Sequence, residues 1–143
     1  MFNFSKDKLF AKRKNVLVWL GKEDFPATEM MQEEAPNHTI TPCKATDGLC
    51  REKDILLGVL GTPADTWRLL LHEVAHARLP HIPPPGHTSE WLLEYVRLIC
   101  KWGMGVLPSH SDLIAYAVLE DIPLSFSNTL KGLVSKRPGK DND

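Results

Sequence analysis

Thr62-Pro63-Ala64-Asp65-Thr66-Trp67-Arg68-Leu69-Leu70-Leu71-His72-Glu73-Val74-Ala75-His76-Ala77 carries the most structural information of any stretch in this chain. Threonine caps free backbone amides, and proline in the first helical position gives up no hydrogen bond, so Thr62-Pro63 marks a helix start. The spacing predicts a helix from Pro63 to about Leu79. Trp67, Leu70, Leu71, Val74 and Ala75 fall on one face of it, and His72 and His76 on another. Two histidines one turn apart project their imidazoles the same way and form a bidentate metal clamp. Glu73 points about 100° further round, where it reaches a water on the metal without being a ligand itself.

Upstream of this helix, Asp54 to Leu60 is an apolar run too short for a typical helix and bounded by Gly61, and it reads as the best-defined strand. A turn signal at Thr46-Asp47-Gly48 precedes it. Thr39-Ile40-Thr41 reads as a second short strand, and residues 21–38 as an acidic, polar connection broken by Pro26 and Pro36. Asn15-Val16-Leu17-Val18-Trp19-Leu20 is β-branched and aromatic and reads as another strand. Downstream, the prolines between Leu79 and His87 force a turn. Thr88 or Ser89 then caps a second helix, Glu90 to about Trp102, apolar nearly all round and therefore buried. Glu90, Glu94, Arg97 and Lys101 form its solvent stripe. Gly103 and Gly105 end it, a third amphipathic helix is expected over Ser109 to Asp121, and residues 131–143 have the composition of a loose tail.

These elements predict an α+β chain, with a short antiparallel-type sheet packed on about three helices. A basic arm spans 1–14, one domain 15–130, and the tail 131–143. A length of 143 residues suits a single core, and 43% hydrophobic and 24% charged residues with a net charge of -1 match an ordinary globular protein. That charge gives no general case for nucleic acid. No signal-peptide pattern and no run of roughly 18 apolar residues is present, which predicts a cytoplasmic protein with no membrane partner. Three cysteines fit a reducing compartment, with Cys43 and Cys50 read as ordinary buried thiols. His38 and His110 lack ligand-like spacing.

Catalytic zinc usually takes three protein ligands and leaves a fourth position to water, so the clamp needs a third donor. The candidates are His81, His87, Glu90 and Glu94. The long metzincin pattern needs glycine at 79 and histidine at 82, where this chain has Leu79 and Ile82. His81 follows His76 too closely without a very tight turn, whereas His87 comes after a full reversing loop. Glu90 and Glu94 lie on the solvent stripe. The favoured set is therefore His72, His76 and His87 around Zn2+, with Glu73 as general base.

With His72, Glu73, His76, Gly86, His87 and Trp91 in this arrangement, residues 45–102 resemble the SprT-like family of minimal zincins, the His-Glu-x-x-His zinc metallopeptidases. The resemblance implies a small zincin-like fold whose zinc polarises a scissile carbonyl while Glu73 takes the proton of the zinc-bound water. It implies a protein or peptide substrate paired along Ile55 to Val59 as an edge strand. Tyr95 or Tyr116 is a candidate support for the oxyanion. Such enzymes often act on DNA-bound proteins, which makes Lys6, Lys8, Lys12, Arg13 and Lys14 candidate phosphate contacts. The competing reading is a non-catalytic, zinc-stabilised binding or regulatory protein of viral or mobile-element origin. Oligomeric state is not encoded in any of these patterns.

Overall fold

The computed structural model describes residues 2–83 and 87–108, with side chains from residue 6 onward. Within them the chain order is α1 (Phe2–Arg13), α2 (Val16–Lys22), α3 (Ala27–Glu34), β1 (Thr39–Cys43), β2 (Gly48–Arg51), β3 (Asp54–Gly58), α4 (Pro63–Ala77) and α5 (Ser89–Trp102). The class is α+β, with a three-stranded mixed sheet. The expected third helix from Ser109, the tail, Tyr116 and His110 lie outside the described residues. No helix among the described residues is long and apolar enough to cross a membrane.

The two expected helices form where the sequence places their signals. Thr62 Oγ1 accepts from the Asp65 amide at 3.1 Å and Thr88 Oγ1 from the Trp91 amide at 3.2 Å, each filling an orphan donor of the first turn. Trp67, Leu70, Leu71, Val74 and Ala75 are fully buried, as are Trp91, Leu92 and Leu98 of α5. Trp67 stacks on Phe25 at 5.4 Å and donates its indole N–H to the Trp102 carbonyl at 2.9 Å, which ties α4 to the last turn of α5.

The sheet differs from expectation in two ways. Its order is β1-β3-β2, so β3 is the central strand and not an edge. An extended substrate therefore has no access to Ile55 through Val59, and the exposed neighbour is β2. The sheet is also mixed, because β1 runs parallel to β3 while β2 pairs with it antiparallel. Gly58 explains the crossing: the connection after β1 passes over the end of β3, where a Cβ on residue 58 would collide with the carbonyl oxygens of Ala45 and Asp47. The Gly58 amide donates to that Asp47 carbonyl at 2.7 Å. Buried Ile55 and Leu57 point from β3 into the core.

Residues 15–20 are not a strand. They form α2, whose Val16 and Leu20, one helical turn apart, are buried with Ala27 and Met30 of α3. A five-residue apolar run has neither period 2 nor period 3.6, and the partner surface decides between them. Packing on a helix favours the spacing of Val16 and Leu20. The basic segment before it is helical as well. Arg13 stacks over Trp19 at 4.2 Å and donates to the carbonyls of Val59 and Gly61, so its guanidinium is engaged in docking α1 onto the β3–α4 connection.

The stripe of α5 is not simply solvated. Glu34, at the C-terminus of α3 and 5% exposed, accepts from Arg97 at 2.7 Å and from the Trp102 indole at 2.8 Å, and lies 3.1 Å from Arg78. Glu94 bridges the same two arginines. Burial alone raises the Glu34 pKa. The hydrogen bonds from Arg97 and Trp102, with the charges of Arg97 and Arg78, outweigh it and leave the carboxyl below its ordinary 4.5. A depressed folded pKa contributes stability that is present above about pH 4.5 and lost as pH falls through the folded value. Glu34→Gln is expected to cost about 2 kcal/mol at pH 7. This lies below the range for a fully buried pair because Arg78 and Arg97 are more than a third exposed and solvent screens them. Thermal melts from pH 7 to pH 3 should show the two proteins converging in acid; a constant gap would contradict the assignment.

Candidate metal centre

Helical spacing on α4 sets His72 and His76 side by side, and the turn before α5 brings His87 back over them. The Nε2 atom of His87 lies 3.3 Å from Nε2 of His76 and 3.2 Å from Nε2 of His72. The three rings meet edge to face at 61° to 64°, with centroids 4.9–5.1 Å apart. For metal–nitrogen bonds of 2.0–2.1 Å, tetrahedral geometry requires nitrogens about 3.3–3.4 Å apart, and the observed spacing fits. His72, His76 and His87 are thus close enough to bind one metal ion.

Burial and mutual repulsion keep His72 and His76 unprotonated. Burial first, then the proximity of His76 and His87, pushes the His72 pKa down to about 3; burial and His87 push that of His76 down to about 4. Both rings are neutral at pH 7, with lone pairs available. Converging neutral nitrogens of this kind share one centre better with a metal ion than with a proton.

Trp91 is the scaffold under the cluster. Its fully buried ring stacks on His76 at 5.2 Å and 22°, meets His72 and His87 edge-on at 4.6 and 4.7 Å, and donates its N–H to the His72 carbonyl at 3.3 Å. Tyr95 continues the stack at 5.2 Å from Trp91. Fixing three imidazoles against one indole removes rotamer freedom that a bound ion would otherwise have to restrict.

Glu73 sits beside the triad, 4% exposed, with Oε2 3.9 Å from His72 Nε2. Burial pushes its pKa up to about 7; the Cys50 amide, donating from β2, opposes that shift and the nearby Asp47 adds to it. β2 approaches this closely because residue 48 is glycine. A Cβ there would stand 2.8 Å from the Leu56 carbonyl oxygen and 3.4 Å from Cγ of Glu73.

The other candidate ligands go elsewhere. His81 is largely exposed and pairs with Glu90 at 3.0 Å, across the base of the loop carrying His87. Glu94 is held by Arg78 and Arg97. Cys43 and Cys50 are free thiols on the two outer strands, separated by β3, and burial pushes the Cys50 thiol up to about 11. The cluster opens into a cavity of about 470 Å³ whose other walls are β2 and the loop after α4. The sequence reading contained neither β2 nor the Cys50 amide. A backbone donor has no residue signature, and the only trace of the strand was the turn at Thr46-Asp47-Gly48 ahead of it.

Compared with family models, curated proteins and solved structures, the chain matches none of them. What the geometry defines is a class of site: three histidines arranged for one metal ion, with a buried carboxylate facing the same cavity.

Proposed function

We propose that this chain is a zinc-dependent peptide hydrolase with a zincin-like centre, its ligands His72, His76 and His87 and its general base Glu73. The observation that carries this reading is the placement of Glu73. A site that only held a metal has no need of a buried carboxylate, anchored by a backbone amide and open to the metal's cavity. Three converging imidazoles, with Nε2 of His87 3.2 and 3.3 Å from those of His72 and His76 and no carboxylate or thiolate in the set, suit zinc among the divalent ions.

When bound, the ion supplies Lewis acidity toward a carbonyl oxygen and acidifies a water. Glu73 would accept a proton from a water as its oxygen adds to the peptide carbonyl, and would return that proton to the amine that leaves as the C–N bond breaks. The Cys50 amide holds the carboxylate in line. An extended substrate pairs along β2, whose one strand partner among the described residues is β3. Zinc-loaded protein is expected to cleave an unstructured fluorogenic polypeptide, to stop on chelation and to recover with added zinc. Zinc-loaded protein that cleaves no such substrate overturns the reading.

Gly48→Ala tests the placement of Glu73. The added methyl would meet the Leu56 carbonyl oxygen at 2.8 Å, so β2 must shift against β3 and carry the Cys50 amide that anchors Glu73 with it. Hydrolysis is expected to fall about tenfold at unchanged zinc content, since small misalignments of a base carry costs of this order. Full activity in the variant would show that the close approach is irrelevant.

A further inference from the structure

The cavity beside the triad has walls of unequal character. Leu49, on the outer face of β2, is 47% exposed, and opposite it stand Ala77 at the end of α4 with Pro80 and Ile82 of the following loop. Apart from the triad, Glu73 and the Cys50 thiol, the only ionisable group among the described residues lining this space is Glu52. Arg51 and Lys53 flank Glu52 in sequence, but neither lines the cavity.

Glu52 also holds an unusual backbone position. It occupies the β2–β3 turn at φ 45°, the left-handed region where glycine or asparagine is the ordinary choice. A glutamate kept in that turn carries its negative charge to the mouth of a partly apolar cavity. The cavity, at about 470 Å³, falls in the range that holds a small ligand or a short peptide stretch, not a folded surface.

Building on the peptide-hydrolase reading, we infer that this cavity selects extended segments carrying an apolar side chain, seated between Leu49 and Ile82, with a lysine or arginine two residues away that meets Glu52. The apolar side chain loses its water against Leu49, Ala77 and Ile82, and the cation two residues along is drawn to the carboxylate of Glu52. Pairing along β2 sets both side chains in register, because alternate residues of an extended chain face the same side.

The test uses the zinc-loaded full chain with Glu73→Gln, so that binding is read without turnover. Two fluorescent peptides of equal length, identical except for lysine or glutamate two residues from a central leucine on either side, are titrated by anisotropy. The lysine peptide is expected to bind roughly fivefold tighter at low salt, the size of an exposed charge pair, with the gap closing near 0.5 M salt. Glu52→Lys in the same background should reverse the order. Glu52→Gly removes the charge while relaxing the turn, and should abolish the preference without lowering the melting temperature. Equal binding of the two peptides, or a preference that survives Glu52→Lys, overturns the inference. Failure of the hydrolase reading would look different, since the chain with Glu73 intact would turn nothing over while the binding preference persisted.

Discussion

Glu73→Gln is expected to lower peptide hydrolysis about 10³-fold, within the range for removing a positioned general base, while leaving the bound metal in place. The amide is nearly isosteric and its oxygen still accepts from the Cys50 amide, so the carboxylate's anchor survives. None of the three histidines is changed. What disappears is the ability to take a proton. The same logic fixes the sign of the pH profile. Glu73 must be ionised to act as base, so activity should decline as pH falls through its pKa. Burial sets that value near 7 in the metal-free chain, and a cation held by the triad pulls it lower. Rates measured from pH 8 to pH 5 should therefore show an acid limb below about 7 in the wild type and none in the residual activity of the variant. Hydrolysis unchanged in Glu73→Gln would remove Glu73 from the chemistry and favour the non-catalytic, metal-stabilised binding protein.

His76→Ala and His87→Ala are expected to have the largest effect on stability in the presence of zinc. An ion that binds the folded chain and not the unfolded one stabilises by about 4 kcal/mol when its concentration is a thousand times the dissociation constant. For a chain of this size that corresponds to roughly 10 °C in melting temperature. Wild-type protein should gain this on adding zinc, and each alanine variant should gain little or nothing. His81→Ala is the matched control, because its imidazole is exposed and paired with Glu90, away from the triad. Melting curves with zinc and with chelator check all three. A variant at 81 that loses the zinc response would return the third ligand to that position.

The parts of this account that were legible in sequence share one property: their signals are local. The Thr62 cap, a cap at Thr88 or Ser89, the burial of Trp67, Leu70, Leu71, Val74 and Ala75 and the pairing of His72 with His76 follow from local spacing, and the structure has them, with Thr88 as the second cap. His87 was reachable because a proline-rich loop must reverse. Position in the sheet was not reachable. β3 has the most apolar sequence of the three strands, with Ile55 and Leu57 fully buried and Leu56 half-buried, and that richness goes with the central position, not with an exposed edge. The helix α3 was overlooked although Ala27, Met30, Met31 and Glu34 recur at helical spacing between Pro26 and Pro36. A glutamate in the apolar series disguises it. That glutamate is buried only because Arg78, Arg97 and Trp102, from distant parts of the chain, converge on it. The strand assigned to residues 15–20 failed for the same reason, since its partner α3 decides its conformation.

The most direct test of the metal centre is elemental mass analysis of the purified full chain, loaded with zinc and freed of excess, alongside His76→Ala and His87→Ala. The three-histidine geometry predicts about one zinc per chain in the wild type and a loss of most of it in both variants. A wild-type chain that retains no zinc, or a His87→Ala chain that retains it in full, would contradict that geometry as a metal site.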